Sequence, residues 1–456
     1  MTSRYPVGLA AATDVRGPGP ARAALQAIGR LRGAGWALAD QCVVSAVNFL
    51  TIFLFARNLE TSTFGAFILA YTGLLLLTNL QNALVTQPHN VLAAGLGQAE
   101  YGRFTGALVV LQGFYCAVTC VTLGALGWLI AIAFSPDAGN TVIALAVTAV
   151  PWMGQEFVRR VLYTRGRARA AAANDGITYG LQLFGVLVLV DAAAAWATPA
   201  SALSVLGLSS AVGMLVGVWQ LRNHVHIDRE VLRERARAWS EAWKFGKWLT
   251  AQNVLAWFGA QGHSWVVGLL LGIEQVGIYR AATHLVNVMN PVMQACFSYL
   301  PSRGSLSHQN GGAEGLSRWV NRTQRMLLFA LVPFLVVLAG FPGQVLELAY
   351  GEKYAGANLA LILGLATVAQ CIGFSKYPFD LGLLAMRSTR SIFYVYLIPV
   401  LLLLTVGTTL IYFLGILGVP LSAIVINSSL LIATGLAYRR RLERERQGGA
   451  TGGVST

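Results

Sequence analysis

Val276 to Leu300 reads VGIYRAATHLVNVMNPVMQACFSYL, an apolar run long enough to cross the roughly 30 Å hydrocarbon core of a bilayer. On a helical period its polar residues Arg280, His284, Asn287 and Asn290 fall at i, i+4, i+7 and i+10, so all four share one face. An ionisable side chain at bilayer depth costs about 2.5 to 3.5 kcal/mol on insertion scales, so such a stripe belongs against a protein interior or a water-filled cavity. The stretch is expected to line a transport path.

The rest of the chain fits a membrane setting. Of 456 residues 55% are hydrophobic and 11% charged, with a mean hydropathy of +0.60, far more apolar than an ordinary soluble domain. Twelve apolar runs predict twelve helical spans, near 35–56, 64–87, 104–134, 141–163, 175–195, 201–221, 248–271, 276–300, 322–341, 356–380, 391–414 and 417–438. Five cysteines, Cys42, Cys116, Cys120, Cys296 and Cys371, all lie inside these runs without metal-ligand spacing, and read as small packing residues.

Charge placement sets the orientation. The two tails and the even-numbered connections, with the adjoining span ends, hold 30 of the 33 Lys and Arg residues; the other three are Arg57, Arg280 and Lys353. Cytoplasmic loops retain such an excess, which makes both termini cytoplasmic in a multi-pass membrane protein. The net charge of +14 is then topological, with a second role in holding anionic membrane lipids, and nucleic acid is not an expected partner. The outer connections are too short to hold a domain. The longest cytoplasmic connection, 222–247, places Leu232, Ala236, Trp239 and Trp243 on one apolar face of an interfacial amphipathic helix. The expected organisation is a disordered basic tail (1–34), a six-helix bundle (35–221), this linker (222–247), a second six-helix bundle (248–438) and a basic tail (439–456).

The two halves repeat weakly. A shift of 212 residues sets Trp36 on Trp248, Ala39 on Ala251, Leu59 on Leu271, Gly65 on Gly277 and Ala70 on Ala282, with Phe67 on Tyr279. Each matched stretch is a span, a tight outer turn and the start of the next span. Six spans separate them, so the repeats run parallel.

The first hairpin carries Asp40-Gln41, Asn48-Phe49, Ala56-Arg57 and Phe64-Gly65; the second half carries FGKWLTAQN, LLLGIEQVGIYRAA, YLPSR and, at 346–357, LELAYGEKYAGA. In these the chain resembles the polysaccharide flippase family of the multidrug/oligosaccharidyl-lipid/polysaccharide exporter superfamily, across about 35–438. The resemblance implies an all-α fold of two six-helix bundles forming a V around a central cavity. It also implies alternating-access flipping of undecaprenyl-pyrophosphate-linked oligosaccharide for surface polysaccharide assembly, with polymerases and glycosyltransferases as functional partners.

Such a substrate asks for cations at its pyrophosphate and for amides and aromatics at its sugars. Candidate contacts are Arg280, His284, Asn287, Asn290, His263, Gln252, Asn48, Arg57 and Lys376. Bland readings stand beside them: Arg280 snorkelling to the outer interface, His263 bonded to a neighbouring helix, Asn48 joining helices, Arg57 anchoring at head groups, and Lys376 pairing with Asp380. Asp40, His263 and His284 are candidates for ion coupling, although Asp40 also suits a helix start. Glu156 is expected to pair with Arg159 or Arg160 on its own helix, and Asp175 to cap a helix after Asn174. A multidrug or cation antiporter would need deep acidic residues. A membrane enzyme would need an outer domain, a metal site or a nucleotide loop, and the sequence carries none of these motifs; no cofactor is expected. A non-transporting component of a polysaccharide assembly complex remains open.

Overall fold

A computed structural model describes residues 20–93, 96–223, 225, 229–354, 357–386, 395 and 397–451. Residues 1–19 of the expected tail and the expected start of the span at 391 lie outside them, in part or whole. Within the described residues every regular element is helical. In chain order these are α1 (Pro20–Asn58), α2 (Thr61–Gln81), α3 (Gln87–Leu92), α4 (Gln98–Ala133), α5 (Pro136–Thr164), α6 (Ala168–Val190), α7 (Pro199–Leu221), α8 (Arg229–Leu271) and α9 (Ile273–His284). They continue with α10 (Asn290–Phe334), α11 (Pro342–Tyr350), α12 (Ala357–Ser375), α13 (Tyr377–Ala385), α14 (Leu397–Leu402), α15 (Thr408–Leu414) and α16 (Gly418–Thr451).

Ten stretches among the described residues are long and apolar enough to cross a membrane. The run Leu397–Gln447 divides at Gly415, where φ is 61°, and α9 with the first leg of α10 adds another crossing, which accounts for twelve. Leu269, Phe329 and Phe413 are each more than three-quarters exposed, as side chains facing lipid are. The chain is a multi-pass membrane protein.

Local chemistry explains the breaks. Ser135 accepts from the Ala138 N–H at the start of α5, and Thr198 and Ser201 form a reciprocal cap on α7, each followed by Pro at the first helical position. Gly312, at φ 56°, turns the two legs of α10. The long apolar segment beyond Ala357 breaks at Lys376, just before Pro378. Residues 20–34, expected in a disordered tail, are helical instead; Ala21, Ala23, Ala24 and Ala27 give that segment a high helix propensity.

The helices pack into two compact units: unit 1 is Met1–Thr51 with Ala70–Val254, and unit 2 is Ile52–Leu69 with Leu255–Thr456. Shanks of the first hairpin thus belong to unit 1 and its tip to unit 2. The amphipathic segment before residue 248 is the first half of α8, continuous with the following span. It buries Val231, Ala238 and Ala242 in a cluster with Tyr101, Phe104 and Leu108, while Trp239 donates to the Ala107 carbonyl at 3.1 Å. Leu232 and Trp243 of the expected apolar face stay exposed, so the packed face lies one step around the helix.

In unit 2 the tip of the first hairpin crosses α9 backbone to backbone. A Cβ on Gly65 would lie 2.0 Å from the Ile273 carbonyl oxygen, and a Cβ on Gly277 would lie 2.1 Å from the Thr61 carbonyl oxygen. Thr61 and Ile273 are themselves 212 residues apart, as are the two glycines, so the repeat meets itself symmetrically at this crossing. Small residues are what permit such close helix contact in a membrane. Around it Lys353 Nζ donates to the carbonyls of Ala56, at 3.1 Å, and Leu59, and Tyr354 donates to Ala56 at 3.2 Å, which satisfies carbonyls at the end of α1. Burial lowers the Lys353 pKa below the usual lysine value, with Glu60 opposing it.

Gly277→Val should cost at least about 1 to 3 kcal/mol, the usual penalty for overpacking. It should lower the thermal unfolding midpoint of the detergent-solubilised protein, whereas the same change at Gly35, which faces open space, should leave it within error.

Candidate functional site

Two polar centres lie inside the spans, one in each unit. In unit 1, α5 carries Glu156, Arg159, Arg160 and Tyr163 at i, i+3, i+4 and i+7, a single helical face. α1 brings Asp40 to that face and α6 brings Asn174 and Asp175. Arg159 holds three carboxylates: its Nε is 2.6 Å from Asp175 Oδ2, its Nη2 3.2 Å from Asp40 Oδ2, and its Nη1 3.3 Å from Glu156 Oε2. Tyr163 donates its hydroxyl to Asp40, Gln155 Nε2 donates to Asp175 Oδ1 at 2.7 Å, and Arg160 Nε is 2.8 Å from Glu156 Oε1. Asp40 is 3% exposed, Arg159 8% and Asp175 0%. Buried charge of this kind persists only when paired and hydrogen-bonded, and a guanidinium with five N–H groups in a fixed fork suits the task.

Asp175 is therefore not the helix cap expected from Asn174-Asp175. It lies inside α6, bonded across to α5, because burial against Arg159 outweighs its preference for helix starts. Arg159 is likewise a buried partner as well as part of the basic connection. Glu156 does pair with both Arg159 and Arg160.

In unit 2, Arg280 on α9 donates from Nη2 to Gln261 Oε1 of α8, two residues before His263. His263 meets the Ser422 hydroxyl of α16 at 2.8 Å, a contact that joins neighbouring helices. His284 is buried; Asn287 is half-buried and Asn290 exposed, and Asn290 Nδ2 donates to Asn287 Oδ1 at 3.3 Å. Between α9 and α10 the chain tightens into a 3₁₀ turn, Leu285–Met289. Residues three apart eclipse in that geometry, which keeps His284, Asn287 and Asn290 in one file continuing from Arg280.

The other candidates are dispersed. Asn48 Oδ1 accepts from Gln182 Nε2 at 3.3 Å, which also donates to Thr51 at 3.0 Å, all within unit 1. Gln252 is exposed on α8, whereas its neighbour Asn253 donates to the Asn79 carbonyl at 3.0 Å. Arg57, exposed at the hairpin tip, donates to the Ala349 carbonyl at 3.3 Å. Lys376 is 7% exposed and pairs with Asp380 at 2.5 Å, at the α12–α13 break. Among the described residues no group of three or more His, Cys, Asp or Glu side chains is arranged to hold a metal ion.

A family described as "Polysaccharide biosynthesis protein" matches residues 105–358, more than half of the chain. The chain belongs to this polysaccharide biosynthesis protein family. No curated relative matches. This family member shares its fold with solved transporters. An inward-facing multidrug resistance MATE family transporter of the MOP superfamily superposes with a TM-score of 0.69 at 14% identity, covering 88% of this chain and 96% of that one. A mutant MATE transporter of Vibrio cholerae gives 0.63 at 15% identity, covering 92% and 97%. An outward-facing MATE transporter of the MOP superfamily gives 0.61 at 13%, covering 92% and 96%. At these identities the likeness is one of fold.

Arg159→Ala would leave two buried carboxylates, Asp40 and Asp175, and the half-buried Glu156 around an empty position. Removing one partner of a buried ion pair typically costs about 3 to 5 kcal/mol, so this variant should lose folded protein on size-exclusion chromatography. Adding Asp175→Asn to it should recover part of the loss; no recovery would show that the cluster is not one electrostatic unit.

Proposed function

We propose that this protein translocates undecaprenyl-pyrophosphate-linked oligosaccharide across the bacterial cytoplasmic membrane by alternating access, supplying repeat units for exopolysaccharide, capsule or O-antigen. Membership in a polysaccharide biosynthesis family and a transporter-like fold support the general reading. The observation that carries it to this substrate is the file Arg280, His284, Asn287 and Asn290 along α9 and the turn that follows. A cation at one end and neutral amides further on match the order of chemistry in a pyrophosphate-linked sugar. In this reading Arg280 contacts the pyrophosphate, the amides contact sugar hydroxyls, and both termini lie in the cytoplasm.

The Asp40–Arg159–Asp175–Glu156 cluster is the proposed ion-coupling centre. It sets three carboxylates against Arg159 and Arg160, so one proton brings it to neutrality. A multidrug or cation antiporter would use the same acids to bind a cationic substrate. Arg159 already occupies them, which favours proton exchange over drug binding. Polymerases and glycosyltransferases that make and use the lipid-linked glycan are the proposed functional partners.

Charge-assisted hydrogen bonds contribute about 1.5 to 3 kcal/mol, so Arg280→Ala should slow export of lipid-linked glycan by roughly tenfold or more while insertion and thermal stability are retained. Surface glycan and the pool of lipid-linked intermediate, measured in cells carrying the variant, check this. Normal export would remove Arg280 from the substrate path. In cells lacking the protein, the completed intermediate should accumulate facing the cytoplasm; failure to form it at all would indicate an enzyme.

A further inference from the structure

The two legs of α10 and the start of α13 enclose an apolar recess of about 190 Å³ within unit 2, lined chiefly by Met289, Met293, Met326, Leu327, Phe334 and Tyr377. It exceeds the roughly 150 Å³ of an apolar cavity that stays dry and accepts benzene, so it has room for a short, branched hydrocarbon segment. Three methionines give it adaptable walls, and two aromatic rings offer faces to pack on. Met326 is 64% exposed, which leaves the recess open along the second leg of α10.

What would fill it follows from its neighbours. Met289 and Met293, one turn apart, line the recess, while Asn287 and Asn290 of the same stretch form the polar file. The chain therefore presents an apolar recess and a polar strip side by side at one level. Asn287 and Asn290 lie 11 to 14 residues beyond Val276, roughly 18 to 23 Å along the axis at 1.5 Å per residue to His284 and 2.0 Å through the 3₁₀ turn, well inside a hydrocarbon core about 30 Å thick. A resident phospholipid keeps its head group at the interface and has no polar end to place there. An amphiphile whose head group is being carried through the membrane does.

We propose that this recess binds the isoprenoid chain of a polyprenyl-pyrophosphate carrier, at the units next to the pyrophosphate, at the stage of transit when the pyrophosphate passes Asn287 and Asn290 and has not yet reached Arg280. The proposal rests on the lipid-linked reading of the substrate. It assigns a protein site to the part of the substrate that would otherwise stay in bulk lipid. Lys376, which directly precedes Tyr377 at the α12–α13 break, adds a cation close in sequence to the lining of the recess.

Full-length protein in phospholipid nanodiscs, photolysed with an undecaprenyl pyrophosphate carrying a diazirine on its pyrophosphate-proximal isoprene units, tests this. Peptides containing Met289 and Met293, and Met326 through Phe334, should be labelled, and unlabelled undecaprenyl pyrophosphate should compete. Ala330→Trp, which fills the recess from an exposed position, should cut labelling by about fourfold or more, the effect of losing roughly one methylene's burial. Met326→Trp is a second filler, and Phe329→Ala, outside the lining, should leave labelling unchanged. Equal labelling by a diazirine phosphatidylethanolamine, without competition by the polyprenyl lipid, would overturn the proposal and make the recess a general lipid seam. Labelling as expected in a protein that moves no lipid-linked glycan between leaflets would sustain the recess and reject the transport reading. Transport with an unlabelled recess would do the reverse.

Discussion

The contact between Gly65 and Gly277 is the constraint around which the second unit is arranged. Each glycine lies against the carbonyl that starts the other's helix, closer than any side chain allows. That crossing fixes the tip of the first hairpin to α9, and so fixes where α9 begins its descent toward Arg280 and His284. Lys353 and Tyr354 reinforce it by donating to carbonyls at the end of α1. The same α1 continues into unit 1, where it contributes Asp40 to the Arg159 cluster. The chain passes between the units at 51–52, 69–70 and 254–255, so α1 ends beside the crossing that α2 makes with α9 and carries, further back, an acid of the Arg159 cluster.

The two polar centres differ in physics as well as place. In unit 1 the charges satisfy one another: Asp40, Arg159 and Asp175 are buried, and every carboxylate has a cation or a donor within hydrogen-bond reach. In unit 2 the polar groups form a file whose exposure rises from His284 to Asn290.

Much of the fold was legible because membrane helices announce themselves by length and apolar content, and because Gly65 and Gly277 kept their spacing through the repeat. The polar file was legible for a similar reason: its four members lie within one helix and its continuation, where periodicity reports a shared face. The 3₁₀ turn changed the local geometry without dispersing them. The Arg159 cluster was not legible as a unit. Asp40 and Arg159 are 119 residues apart, and Asp175 follows an Asn in a pattern that reads as a helix cap. The available signal was that Glu156, Arg159 and Asp175 all fall at or inside the ends of apolar spans, where unpaired charge is costly. The apolar recess had no sequence signal, since methionine and leucine at helical spacing describe any packed face.

The central claim is that the protein itself moves a lipid-linked oligosaccharide from one leaflet to the other. Purified protein reconstituted into vesicles, with the lipid-linked glycan confined to the inner leaflet, puts the question directly when a membrane-impermeant glycosidase is added outside. The account predicts that the glycan becomes cleavable with time in vesicles containing the protein and stays protected in vesicles without it. Glycan that stays protected in both, with the protein folded and inserted, would contradict translocation and leave a structural role in polysaccharide assembly.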